Sequence, residues 1–396
     1  MALLVLVLGA LTATGPLSTD LYLPAFPQIA RDLNAPESQI QLTLTAIMLG
    51  LGVGQLVIGP LSDGLGRRLP LLLGVTVFTV TTFACMLAPS APVLVALRFV
   101  QGVAGAAGAV IARAVVRDLF EGDHAARFFT RLMLVTGMAP LLGPILGGQL
   151  LLLGPWQLTF GVIGGVSTLT LVVVFFWLPE SLPRSERREM RPAELARTVG
   201  ALLRDARFVG PALTLGLSFG MMFTYVSSFS FVSQNQFGAT AQQFSLIFAV
   251  NTLGIIIGTQ LNGFLIGRVE TARRLAAGLT GALVAVVTMS LLAATGSAGL
   301  LSLTVVFFGM MFSVGFVFPN ATTLAISSQP PAVAGTASAL MGSMQFALGG
   351  GLAALAGLTA TGEATLASMA VVMVSVGAAS AVVFAVLGRS AARSVS

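Results

Sequence analysis

GPLSDGLGRR, residues 59–68, is the stretch on which the fold turns. It sets Gly59, Asp63, Gly66, Arg67 and Arg68 within ten residues. The run before it, about 40–61, is apolar, and so is the run after it, about 69–88; neither carries a charge. Each is close to the twenty residues that a helix needs to cross a bilayer. Both charge signs therefore meet in a short loop at a membrane edge. Arginines alone would serve as an anchor on the cytoplasmic side. An anchor does not call for Gly, Asp and Gly at set positions, so a gating role carries more weight. The two glycines suit close helix approach and a tight turn.

The same rhythm extends over the chain. Twelve spans are expected, near 3–26, 40–61, 69–88, 92–115, 129–152, 156–178, 208–233, 241–266, 275–296, 299–326, 335–357 and 364–388. Hydrophobic residues make up 56% of the 396 and charged residues 9%, a balance that no soluble domain can bury. The opening run MALLVLVLGALTATG lacks a basic start and reads as the first span rather than a cleaved signal. Pro, Gly and Ser mark the joints, as in SSQPPAVAG at 327–335. The fold class is therefore all-α and integral to a membrane.

All basic residues are arginine, and they sit in short loops, so topology explains the net charge of +6 better than nucleic acid does. With the N-terminus inside, the inner loops and tail hold Arg67, Arg68, Arg117, Arg127, Arg131, a cluster from Arg184 to Arg207, Arg268, Arg273, Arg274, Arg389 and Arg393; the outer loops hold Arg31 alone. Both termini are thus expected on the cytoplasmic side of the cell membrane. The charged segment 179–207 reads as a cytoplasmic linker, partly an amphipathic helix. It divides the chain into bundles at 1–178 and 208–396, six spans each. The halves echo each other weakly at an offset near 205: GVGQLVIGPLSDGLGRR (52–68) against GIIIGTQLNGFLIGRVETARR (254–274). Parallel repeats of this kind suit a transporter with a midplane site.

Enzyme chemistry has little to stand on. There is one cysteine, Cys85, and one histidine, His124, with no acid pair inside a span and no metal-ligand spacing. No cofactor is expected.

The motifs resemble those of a known family. GPLSDGLGRR is similar to the loop signature of the major facilitator superfamily, and LRFVQGVAGAAGAV (97–110) to its fourth-helix motif. GMAPLLGPILGG (137–148) resembles the fifth-helix motif of its antiporter branch, through Gly143, Pro144, Gly147 and Gly148. STDLYLPAFPQIA, FAVNTLGIIIGTQLN and the segment 318–350 resemble the Bcr/CflA group of drug:proton antiporters. The resemblance covers essentially the whole chain. It implies two pseudo-symmetric six-helix bundles that export small amphipathic drugs, such as amphenicols, in exchange for protons by alternating access. The partners are then a small-molecule substrate, protons and the lipid bilayer, and the unit of function a monomer. The alternative is a proton-coupled symporter or facilitator for a nutrient-like solute, against which the fifth-helix motif speaks.

Asp20 is the one acid that falls inside a span. It lies about six residues, or roughly 9 Å, below the outer surface, and Arg98 lies equally deep in span four. Charges at such depth belong in the bundle interior. Desolvation and a nearby cation act on the Asp20 proton in opposite senses, so a change in either moves it. A static ion pair or a helix cap is the bland alternative. The resemblance implies proton coupling for Asp20 and Arg98, with Arg98 as the expected partner. It also implies a cytoplasmic charge network for Asp63, Arg67 and Asp118. Arg113 and Arg117 snorkel or join that gate. The candidate cavity residues are Tyr22, Met48, Gln101, Met138, Phe223, Tyr225, Phe229, Asn251, Asn320 and Gln345. At the repeat offset Tyr225 corresponds to Asp20, in a span rich in Met, Phe and Ser that suits varied ligands.

Overall fold

The structure, a computed structural model, describes residues 2–120, 122–187, 192–330, 333–357, 359 and 362–388. Arg188, Arg191, Arg389 and Arg393 of the arginine tally, and residues 331–332 of the SSQPPAVAG joint, lie outside the described residues. Among those described, the regular structure is helical throughout, with no strand. That is the expected answer to a bilayer, where each N–H and C=O needs a partner within its own segment.

Fourteen α-helices follow in order: α1 (Ala2–Asp20), α2 (Phe26–Asp32), α3 (Glu37–Leu65), α4 (Arg68–Met86), α5 (Ala91–Leu119), α6 (Gly122–Leu153), α7 (Gln157–Trp177), α8 (Pro192–Leu202), α9 (Ala206–Phe231), α10 (Ala241–Phe264), α11 (Thr271–Ala294), α12 (Leu300–Ser327), α13 (Ala334–Ala354) and α14 (Leu366–Val383). Among the described residues, eleven helices are long and apolar enough to cross a membrane. α1 stands where the first span is expected, and α8 forms within the charged segment 179–207.

One span departs from expectation. Span one was expected to run to residue 26, but α1 stops at Asp20. A short 3₁₀ turn, Leu23–Ala25, follows, and then α2. Pro24 and Pro27 account for this. Each lacks an N–H and is tolerated in the first turn of a helix rather than in its interior, and each sits at such a start here. The break leaves Asp20 as the last residue of α1.

Packing divides the chain into two units: Met1–Ala35 with Leu42–Arg191, and Pro36–Gln41 with Pro192–Ser396. In the first unit α1 packs on α5, α6 and α7, and α4 packs on α5 and α7. Its buried core includes Leu8, Leu11, Leu71, Ile111, Val115 and Val174. In the second unit α9 packs on α12, α13 and α14, and α12 also packs on α10 and α11.

Candidate functional site

The first unit buries its two embedded charges close together but does not pair them. Arg98 is fully buried on α5. Its guanidinium donates to the main-chain oxygen of Ser18 at 2.7 Å and to Gln101 Oε1 at 2.6 Å. It lies 4.3 Å from the centre of the Tyr22 ring and 5.5 Å from that of Phe160. Gln101 Nε2 in turn donates to Thr82 Oγ1, and the Tyr22 hydroxyl bonds Thr43 at 2.9 Å. Carbonyl dipoles, a side-chain amide and two ring faces thus replace water around the cation.

Asp20 is 6% exposed and accepts a hydrogen bond from Thr19 Oγ1 at 3.2 Å. The expected ion pair with Arg98 is not formed: among the described residues no ion pair includes either group. Sequence depth alone could not tell that the Arg98 head would turn to the backbone two residues short of Asp20. The carboxylate also closes the C-terminal end of α1, where helix carbonyls make negative charge unfavourable. Ionised Asp20 is therefore held at a cost.

α6 presses on this point. A Cβ on Gly143 would stand 2.9 Å from the Asp20 Cβ, and one on Gly147 would collide with the Leu21 carbonyl oxygen. Gly143, Pro144, Gly147 and Gly148 are all buried. The fifth-helix motif thus lies directly against the Asp20 Cβ and the Leu21 backbone, a contact that spacing alone did not reveal.

At the other end of the unit the segment 59–68 builds a charge network; it was expected as a loop, but α3 continues through it to Leu65 and only Gly66 and Arg67 stand between the helices. Gly66 has φ +96°, and a Cβ there would meet Glu180 and Arg187 side chains, so the turn accepts glycine for both reasons. Gly59 does not share this role; a Cβ there would touch only Val110, at an ordinary 3.9 Å. Arg67 is 4% exposed and pairs with Asp63. Its Nε donates to Asp118 Oδ2 at 2.8 Å, and Nη1 donates to Ser62 Oγ at 2.8 Å. Ser181 also donates to Asp118.

Glu180 completes the network and was not expected from sequence. Its Oε1 accepts from the Arg67 N–H at 2.8 Å and its Oε2 from the Arg68 N–H at 3.3 Å. These amides open α4, have no partner within the helix, and mark its positive end. Burial pushes the Glu180 carboxyl up. The N–H groups of Leu182, Arg67 and Arg68 and the Arg187 charge outweigh that and hold it below its ordinary value. The usable signal was one acid, Glu180, just beyond the last apolar residue of span six. Arg68 instead donates to the Phe175 carbonyl oxygen at 2.7 Å. Arg113 does not join the network: it is exposed and its Nε donates to Ala109 O within its own helix. Arg117 is exposed as well.

The second unit repeats this corner without acids. Arg274, 6% exposed, donates to Asn262 Oδ1 at 3.0 Å, to Val269 O and to Thr271 Oγ1. Asn320 Nδ2 donates to the same Asn262 oxygen at 2.6 Å. Asn320, a cavity candidate from sequence, is thus part of this corner. Asn251 Nδ2 donates to the Tyr225 hydroxyl at 2.9 Å, so two other candidates come together. Phe229 stacks on Tyr225, and Phe223 on Phe219. Met48 is buried, Gln345 is half-buried, and Met138 is 39% exposed. Among the described residues no cluster of His, Cys, Asp or Glu could hold a metal ion.

Known proteins resemble this chain in sequence and in fold. The model of a family described as the Major Facilitator Superfamily matches residues 8–354. The chain is 40% identical over 361 residues to an uncharacterized MFS-type transporter, YdgK, of Bacillus subtilis (strain 168), covering 90% of this chain and 89% of that one. It is 34% identical over 353 residues to a bicyclomycin resistance protein homolog of Haemophilus influenzae, covering 87% and 86%. The solved structure of a D-xylose–proton symporter superimposes with TM-score 0.72 at 15% identity, covering 96% of each chain, a likeness of fold.

Proposed function

The chain belongs to the Major Facilitator Superfamily, a multi-pass membrane transporter and not an enzyme, and from that premise we propose that it exports small amphipathic drugs in exchange for protons. The bicyclomycin resistance homolog and the fifth-helix motif at Gly143–Gly148 support export over uptake. In this reading the protein acts in the cell membrane with both termini inside, and it works by alternating access.

The observation that carries the reading is the state of Asp20. It is buried, ends α1, accepts a bond from Thr19, and forms no ion pair among the described residues. A carboxylate so placed is poorly stabilised, and a modest change of hydration or of nearby charge moves its proton. Gly143 and Gly147 let α6 ride on the same backbone, so a shift of α6 alters that hydration. Arg98, held on Ser18, keeps its positive field near without neutralising the acid. Substrate arriving from inside meets deprotonated Asp20; protonation from outside resets the carrier. The acidic network around Arg67 closes the cytoplasmic end and reopens once per cycle.

The test uses the full chain in liposomes with a pH gradient. Chloramphenicol, a cationic dye and a sugar are added in turn while proton flux is followed. Proton release evoked by a drug, and its loss in Asp20→Asn at an unchanged thermal midpoint, is the expected result. Release that survives in Asp20→Asn overturns the coupling role, and uptake of solute down the proton gradient overturns export.

A further inference from the structure

Asn251 on α10 is fully buried, and its Oδ1 has no hydrogen-bond partner among the described residues. Its Nδ2 is spent on the Tyr225 hydroxyl. Turned over, the amide would accept the Tyr225 proton and leave its own N–H groups free, so the pair is one partner short either way. A buried polar group without a partner is destabilising, and its retention points to a partner that comes and goes. The surroundings are aromatic. Ring centres of Phe307, Phe229 and Phe248 lie 4.5, 5.3 and 5.7 Å from that of Tyr225, and Phe244 packs behind Phe229.

We propose that Asn251 and Tyr225 are the hydrogen-bonding floor of a ligand subsite for neutral molecules bearing a hydroxyl or amide N–H on an apolar ring body. The proposal rests on the export reading and names the substrate class within it. The rings supply flat apolar faces, and the unpaired amide oxygen selects a donor. A permanent cation gains from ring faces but needs a counter-charge once dehydrated. From residue 208 to 388 the acids are Glu270 and Glu363, both between helices, so this unit's spans offer none. A hydroxyl both donates and accepts, and meets the pair in either orientation. Tyr225, Asn251, Phe229 and Phe307 are closed to solvent, so the ligand enters in a conformation that parts these rings.

Equilibrium binding to the full chain in nanodiscs tests this, with labelled chloramphenicol as the neutral donor probe and tetraphenylphosphonium as the cation without donors. Asn251→Leu is expected to weaken chloramphenicol about tenfold, the scale of one lost hydrogen bond, and to leave tetraphenylphosphonium within about twofold. Its thermal midpoint is expected to fall modestly, since the bond to the buried Tyr225 hydroxyl is lost along with the unpaired oxygen. Asn251→Asp is expected to strengthen tetraphenylphosphonium, a gain that misfolding cannot mimic. Equal losses of both probes in Asn251→Leu, or an unchanged preference in both variants, overturn the proposal. A wild-type protein that binds the cation and not chloramphenicol overturns it while the export reading stands. A wild-type protein that binds neither probe overturns the export reading itself.

Discussion

Arg98 donates to the main-chain oxygen of Ser18 at 2.7 Å, two residues ahead of Asp20, and among the described residues leaves the Asp20 carboxylate without an ion-pair partner. The cation therefore holds the end of α1 in place while the acid beside it keeps only the bond from Thr19. Arg98→Lys removes the planar head that spans Ser18, Gln101 and the Tyr22 ring. It is expected to cost about 2–3 kcal/mol, in line with charge-assisted bonds lost from a buried site. Thermal unfolding in detergent reads this loss, and drug-evoked proton flux falls with it. Full stability in the lysine variant would remove the positional role.

The contact of α6 with α1 predicts a graded series. Gly147→Ala drives a methyl into the Leu21 carbonyl and Gly143→Ala crowds the Asp20 Cβ, each costing about 1–3 kcal/mol as overpacking does. Gly59→Ala meets only Val110, at an ordinary contact distance, and stays within about 0.5 kcal/mol of wild type. Thermal midpoints of the three proteins, measured side by side, check the order.

Glu180 predicts a pH dependence. Its folded carboxyl titrates below the ordinary value of 4.5, so its contribution is present above that value. The contribution is lost as pH falls from there through the folded value. Thermal midpoints between about pH 7 and 3 are expected to show an acid-side drop that is smaller in Glu180→Gln. Identical profiles would mean that Glu180 does not anchor the start of α4.

Asn262 and Asp63 make opposite predictions. Arg274 is buried against neutral oxygens, so Asn262→Asp supplies a counter-charge and is expected to stabilise by about 1–2 kcal/mol, as charge-assisted bonds exceed neutral ones. Asp63→Asn removes one of two carboxylates from Arg67 and is expected to destabilise, by less, because Asp118 remains. Differential scanning fluorimetry of both variants decides the signs.

Much of the architecture was legible without coordinates. Apolar runs of bilayer length alternate with arginine loops, and that spacing alone located eleven helices to within a few residues. The exception, span one, carried its own sign in Pro24 and Pro27. The loop motif likewise announced Arg67 and Asp63 by type and position, and the family resemblance added Asp118. Asp20 and Arg98 were found because a charge in an apolar run is conspicuous.

What sequence could not supply was the pairing of groups far apart in the chain. Whether Arg98 turns to Asp20 or to the Ser18 carbonyl is a matter of a few ångströms and of rotamer. Glu180 reaches α4 across 112 residues, and Asn251 finds Tyr225 across 26. Span length, span number and loop charge follow from bilayer thickness and the cost of unpaired backbone, which act on each segment by itself. Which buried polar group finds a partner, and which is left without one, is decided only when helices pack and exclude water.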